Sequence, residues 1–387
     1  MTHLPYSCYF NHEDIPENRA RKRRFKEFEV TSGLKITEFL AANDNGITDE
    51  FGESSDWIEI ENTSSSAIDL SQWFLTDDLD NLERWAFPEG TTLAAGARLI
   101  IRASGRDEVA PKGELHTNFR IGSNKGGFLA LVHNDGFFGS YFFDYPRQRT
   151  DFSYGATDLG QVVFFATPTP GKSNSPSGLA GFVKDTKFSH DRGFYEIPFQ
   201  LTITCATSEA TLYYTTDGSL PDPQNPSAFI YEKPLPVSTT TTLRVRAFLD
   251  GFEPSNTDTQ TYLFLEHVIQ QPVRPEGYPS VWATGQNADY AMDPRITASN
   301  TYKDRILPAL RSHPTLAISV DIDAMFGNSP GIYSHPTAKG IDWEIPASLE
   351  LMDFAWADDK QVDCGIRMQG NASRQPSRPK HNMRLVF

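Results

Sequence analysis

The sequence predicts a mainly β chain: two β-sandwiches followed by the incomplete start of an α+β domain. Three observations carry this. Short alternating or wholly apolar runs recur about every ten residues, bounded by Asn, Asp, Gly, Pro or Ser clusters, which is the spacing of a sandwich or barrel. Gly, Pro, Thr and Asp are abundant, while 39% of the 387 residues are hydrophobic and 12% aromatic, enough to fill real cores. That length exceeds one ordinary core and suits roughly two to three domains.

The first folded segment opens at "LKITEFLAANDNG" and continues through "DWIEIENTSSSAIDLSQWFLTDD", "RWAFPEGTTLAAGARLIIRAS" and "GGFLALVHNDGFF". In "DWIEIEN", Ile58 and Ile60 share one face, which is expected in the core. Trp57, Glu59 and Glu61 share the other, expected to be partly wet. Residues 1–33 read as a disordered or extended tail, 34–174 as the first sandwich and 175–180 as a linker, with the Pro-, Ser- and Gly-rich "TPTPGKSNSPSG" extended. In the second segment, "TLYYTTDGSLP" alternates around Asp217-Gly218, a tight-turn signal because Gly tolerates positive φ. "TTTTLRVRAFLDGFEPSNTDTQTYLF" repeats the pattern and completes a second small sandwich over 181–265, with 266–287 a further linker.

The third segment, 288–387, is α+β. "YKDRILPALRS" predicts a short helix that Pro308 keeps irregular, and "TLAISVDID" an apolar strand. "GIYSHPTAKGIDWEIPASLELMDF" reads as a hairpin-like pair, and "QVDCGIRMQGNASRQPSRPKHNMRLVF" as a strand, a polar loop and another strand.

Charge narrows the partners. Lys and Arg number 35 against 50 Asp and Glu, a net charge of −15, so nucleic acid and anionic membrane are disfavoured. Arg19, Arg21, Lys22, Arg23 and Arg24 form the one basic cluster, which suits a solvated terminus as well as a targeting signal. Cys8, Cys205 and Cys364 lie far apart without CxxC spacing, which argues against a zinc site or a disulfide framework. No run of 18 apolar residues occurs to span a membrane, and the first thirty residues lack the apolar stretch of an export signal.

The block order "ITEFLAAN", "DWIEIEN", "IDLSQWFLTDD", "WAFPEGTTLAAG", "LHTNFRIGSNKGGFLAL" and "ATPTPGKSN" resembles the lamin-tail domain, an immunoglobulin-like sandwich. That resemblance implies a binding or spacer module. "LYYTTDGSLPD", "TTTLRVRAFLDGFEPS" and "TYLF" resemble the chitobiase/β-hexosaminidase C-terminal-like domain, another immunoglobulin-like accessory fold. It implies attachment or spacing, and it holds no carboxylate pair placed for glycoside hydrolysis.

"ADYAMDP", "HPTLAISVDIDAMFG", "GIYSHPTAKGIDWEIPASLELMD" and "CGIRMQGNASRQPSRPKHNMRLVF" resemble the N-terminal part of the CotH kinase family, atypical protein kinases that use ATP and a divalent metal. The resemblance implies ATP and Mg as cofactors. It places Arg367, Gly370, Asn371, Ser373, Arg374 and Lys380 where nucleotide phosphates are expected. On chemical grounds a Gly-containing loop lets backbone N–H groups approach phosphate, and Arg374, Arg378 and Lys380 offer compensating charge; the same composition also suits a solvated loop. The aspartate that orients the nucleophile and the metal ligands are expected beyond Phe387, so the chain reads as truncated and its catalytic residues as unknown.

Two further ligand readings stand beside these. "NDNGITDEFGESSD", with Asp44, Asp49, Glu50, Glu53 and Asp56, offers oxygen ligands for calcium without EF-hand spacing. Trp57, Trp73 and Trp85 would form either a sugar- or partner-stacking face or core. Asp321 and Asp323 read as strand-end or turn residues. The expected function is that of a secreted or cell-surface, bacterial-type kinase region acting on a protein substrate or cell-surface partner. The alternative is a non-catalytic adhesion or scaffold protein that binds protein or carbohydrate.

Overall fold

The computed structural model describes residues 33–282, 285, 287–328, 331–352, 360–378 and 380–387. The N-terminal tail, with Cys8 and the basic cluster at 19–24, lies outside them. The chain forms two compact units, one ending at Gly181 and the other beginning at Phe182, and the fold is mainly β.

The first unit is a sandwich of two sheets. One runs Val162–Phe165, Ser153–Ala156, Leu34–Leu40, Trp57–Asn62, Arg98–Arg102, Leu115–His116, Glu108–Val109. The other runs Phe138–Tyr145, Gly127–His133, Trp73–Thr76, Trp85–Ala86. Alternation aims Ile36, Ile58, Ile60 and Ile101 from the first sheet at Leu75, Leu129 and Leu131 from the second, closing one core. Trp73 and Trp85 belong to that core and Trp57 is fully buried. The stacking-face reading of these three indoles therefore gives way to a structural one.

The polar face of Trp57–Asn62 differs from expectation. It was expected to be partly wet, yet Trp57 and Glu59 are both fully buried and Glu61 alone of the three stays partly exposed. For Glu59 the cause lies more than a hundred residues away. The stretch read as an extended linker folds back on the sheet: the Gly171 N–H donates to Glu59 Oε2 at 2.6 Å, and Asn174 Nδ2 donates to the Thr37 and Ala156 carbonyls, both at 2.9 Å.

In the second unit, a five-stranded sheet runs Gly193–Phe194, Asp258–Leu263, Thr241–Phe248, Thr211–Thr215, Phe229–Ile230. Two strand pairs, Thr186–Phe188 with Ile203–Cys205 and Phe199–Leu201 with Leu235–Val237, face it. Leu201, Ile203, Val237, Val245, Tyr262 and Phe264 fill the space between. The Asp217-Gly218 turn forms as read: Gly218 has φ +80°, and Asp217 Oδ1 accepts from the Ser219 N–H at 3.0 Å.

The same unit continues into helix Lys303–Arg311, with Pro308 inside it and Ile306 buried. A four-stranded antiparallel sheet follows in the order Thr315–Val320, Ile345–Met352, Lys360–Gln369, Asn382–Val386. Asp321 caps the short helix Ile322–Phe326 by accepting from the Ala324 N–H at 2.7 Å, in keeping with a strand-end role.

One expectation fails here. The stretch from Gly331 to Glu344 is not half of a hairpin; it forms turns and the 3-10 helix Ile341–Trp343. Gly331 and Gly340, at φ +38° and +101°, take conformations unsuited to a strand, and Ile345–Met352 pairs instead with Lys360–Gln369. Ile345, Ala347, Ile366 and Met368 point to one face of the sheet and pack with Met325 and Ile332. Ser348, Glu350, Gln361 and Asp363 point to the other.

Candidate functional site

The six residues singled out in the sequence lie on one strand and the loop that follows it. Strand Lys360–Gln369 carries Arg367 near its end, and Gly370 then turns the chain at φ +101°. Glycine suits that backbone angle, and a Cβ there would displace Ser373 Oγ from its position against the turn. Asn371 is exposed and precedes a single 3-10 turn, Ala372–Arg374, whose last N–H donates to the Asn371 carbonyl at 3.3 Å. Ser373 Oγ donates to the Gln369 carbonyl at 3.1 Å, which ties the turn to the strand.

The cations divide by exposure. Arg367 pairs through Nε with Glu344, and both side chains are about a quarter exposed. Gly365 makes room for that carboxylate, since a Cβ there would overlap Glu344. Arg374 is buried at 8% exposure and donates Nη1 to the Ala338 carbonyl at 3.2 Å. Its Nε is buried and among the described residues meets no hydrogen-bond partner. Arg378 and Lys380 are exposed. Lys380 lies two residues before strand Asn382–Val386 rather than on it.

Sequence reasoning missed His381, which locks the loop. Its Nδ1–H donates to the Ser373 carbonyl at 2.7 Å, and its ring lies 4.8 Å from that of Tyr333. Burial pushes the Tyr333 hydroxyl above its ordinary pKa, while the His381 amide pulls against the shift. The only signal in the sequence was a histidine next to the lysine of interest. Phe326, Trp282 and Tyr290 continue the aromatic support around Tyr333 and one another.

The loop can therefore offer an anion two exposed cations on a fixed backbone. Among the described residues, no group of three or more His, Cys, Asp or Glu side chains is placed to hold a metal ion. In the acidic loop of the first unit, the carboxylates bond locally. Asp49 Oδ1 accepts from the Phe51 and Glu53 N–H groups and Oδ2 from Ser55, Glu50 accepts from the Lys112 N–H, and Glu53 pairs with Arg106. Asp56 is partly buried, and that burial lifts its pKa to about 6 against the pull of the Asn43 amide and Arg120.

Two family models match the chain. Lamin Tail Domain matches residues 29–137, and Chitobiase/beta-hexosaminidase C-terminal domain matches residues 190–259. The first stops before the strands Phe138–Tyr145, Ser153–Ala156 and Val162–Phe165 of the first sandwich, the second falls within the second sandwich, and neither reaches the loop at Gly370. A search of the curated proteins finds no match. Among solved structures, the fibronectin(III)-like modules of Clostridium thermocellum CbhA align at 11% identity over 54% of this chain and 85% of theirs, with a TM-score of 0.17. A score that low gives no ground for an argument about fold. No helix among the described residues is long and apolar enough to cross a membrane.

Proposed function

We propose that this chain is a surface-exposed module array whose last segment supplies the phosphate-contact half of a CotH-type, ATP-dependent protein kinase. The observation that carries this reading is the loop between two paired strands, turned by Gly370, locked by His381 and presenting Arg378 and Lys380 to solvent. Polyphosphate recognition needs a fixed backbone and cations of this kind. In the family resemblance ATP supplies the transferable phosphoryl group and Mg its charge compensation. On this chain, Lys380 and Arg378 would hold phosphate oxygens, Gly370 and Asn371 would present the loop backbone, and Arg374 would stiffen it from below. The described residues include no carboxylate set for the metal, so no transfer step is assigned to them. The lamin-tail-like and chitobiase-like modules fit an extracellular or cell-surface setting with a protein or carbohydrate partner.

A second reading is a non-catalytic adhesion or scaffold protein. It is favoured by the engagement of Arg367 with Glu344 and of Arg374 with Ala338, which leaves both guanidinium groups already partnered within the chain. Calorimetric titration with Mg·ATP separates the two. The kinase reading expects binding that Lys380→Ala weakens about tenfold, the loss of one charge-assisted contact. Binding unchanged by Lys380→Ala removes Lys380 from the site, and absence of binding favours the scaffold.

A further inference from the structure

The second sandwich has an open side. Strand Asp258–Leu263 pairs with Thr241–Phe248 along its length, but on its other side it meets Gly193–Phe194 only at Tyr262 and Leu263. The N–H groups of Thr259 and Thr261 therefore face outward from residues that are themselves 0% and 3% exposed. A buried N–H without an acceptor is destabilising.

Two side chains from the four-stranded sheet fill that gap. Glu350, fully buried, accepts from the Thr261 N–H at 2.9 Å and from the Thr261 hydroxyl, with Arg192 Nη1 at 3.6 Å. Gln361, opposite Glu350 on the neighbouring strand, accepts from the Thr259 N–H at 2.6 Å and donates to the Thr257 carbonyl at 2.9 Å. Together they stand in for a missing strand and protect an edge that would otherwise pair with another chain. Close by, Arg244 donates Nη1 to the Gly218 carbonyl at 2.9 Å, and the Asp217-Gly218 turn abuts the Val320 backbone. The sheet gains as much as the sandwich. Ser348, Glu350 and Met352, all 0% exposed, lie on the face that the sandwich covers.

We propose that the second sandwich is not a detachable spacer but one wall of the domain that carries the Gly370–Lys380 loop, and that the two fold and open as a single cooperative unit through the Glu350–Gln361 clasp. Strand Lys360–Gln369 holds Gln361 at one end and leads into Gly370 at the other, about 30 Å apart at strand rise. The inference stands whether or not the loop meets phosphate.

Hydrogen exchange on the full chain tests it. Ile203→Val trims the sandwich core from a strand that holds none of the clasp residues and should speed its slowest amides about 2- to 10-fold. The slow amides of Ile345–Met352 should accelerate by the same factor, and those of Trp57–Asn62 in the first unit should not change. Gln361→Met keeps the side chain's length but removes its amide, and should reciprocally speed Thr241–Phe248. Glu350→Gln, which retains an acceptor for the Thr261 N–H, should couple nearly as the native chain does. Acceleration confined in each variant to the altered element would overturn the proposal.

Discussion

Glu38 and Glu59 sit directly opposite each other on adjacent strands of the first sandwich, and both are fully buried. A bulge brings them together, because the register slips between Ile36 and Glu38 and leaves Thr37 as the extra residue. Two carboxylates so placed repel unless each finds donors. Glu59 takes the Thr37 hydroxyl, the Arg98 guanidinium and the Gly171 N–H, each at 2.6 Å; Glu38 takes the Ser153 hydroxyl and the Thr169 N–H and hydroxyl.

Glu59→Ala should destabilise the first unit. It leaves the Gly171 N–H without its acceptor and the mostly buried Arg98 guanidinium with Glu61 as its remaining partner, a change expected to cost about 1–3 kcal/mol. Chemical denaturation of the full chain would measure it, and exchange in residues 167–174 should rise with the loss of the Gly171 anchor. A cost below about 1 kcal/mol would mean the tail is held by other contacts.

The first unit should lose stability as pH rises through the weakly acidic range. Burial raises the Glu38 carboxyl above its usual pKa, and the charge of Glu59 adds to the shift; burial likewise lifts Asp56 to about 6. A carboxyl raised in the folded state binds protons that the unfolded chain, with its pKa near 4, has already released. Its contribution is therefore fully present below about pH 4 and is lost as pH passes through about 6. Asp56→Asn should flatten that slope and gain stability relative to the native chain at pH 7–8, by no more than about 3 kcal/mol. Denaturant midpoints taken from pH 4 to 8 on both proteins would show it, and parallel slopes would exclude Asp56 as the cause.

Much of this fold was legible in the sequence, and the reasons for the rest are specific. Period-two alternation located Ile58 and Ile60 in the core, and Asp217-Gly218 marked its turn, because both signals are local. The burial of Glu59 was not legible, since its acceptor role depends on Gly171 and Arg98, far along the chain. Glu350 gave only a faint sign as a lone acid within the apolar strand "IPASLELM"; its partners belong to another sheet. For the candidate loop, sequence set Gly370 in a polar loop between two strands, but it put Lys380 on the following strand, which begins at Asn382, and could not tell an exposed arginine from a buried one such as Arg374.

Gly218→Ala should destabilise the second unit by at least about 1–2 kcal/mol. Its φ of +80° is unfavourable for a side chain, and the added methyl would overlap the Val320 carbonyl. Thermal unfolding should show the second unit melting earlier with the first unit unchanged. An unaltered melt would mean that the turn can move away from Val320 freely.

The strap formed by Thr169, Gly171 and Asn174 bears on how the first unit can be excised. A polypeptide cut at residue 137, where the lamin-tail match stops, would keep Gly127–His133 without Phe138–Tyr145 and Leu34–Leu40 without Ser153–Ala156. It would also strand two buried glutamates under no cover. Such a fragment would self-associate through its bare strands, whereas one carried on to Leu179, which bridges back to Phe164, would take its own lid with it and remain soluble.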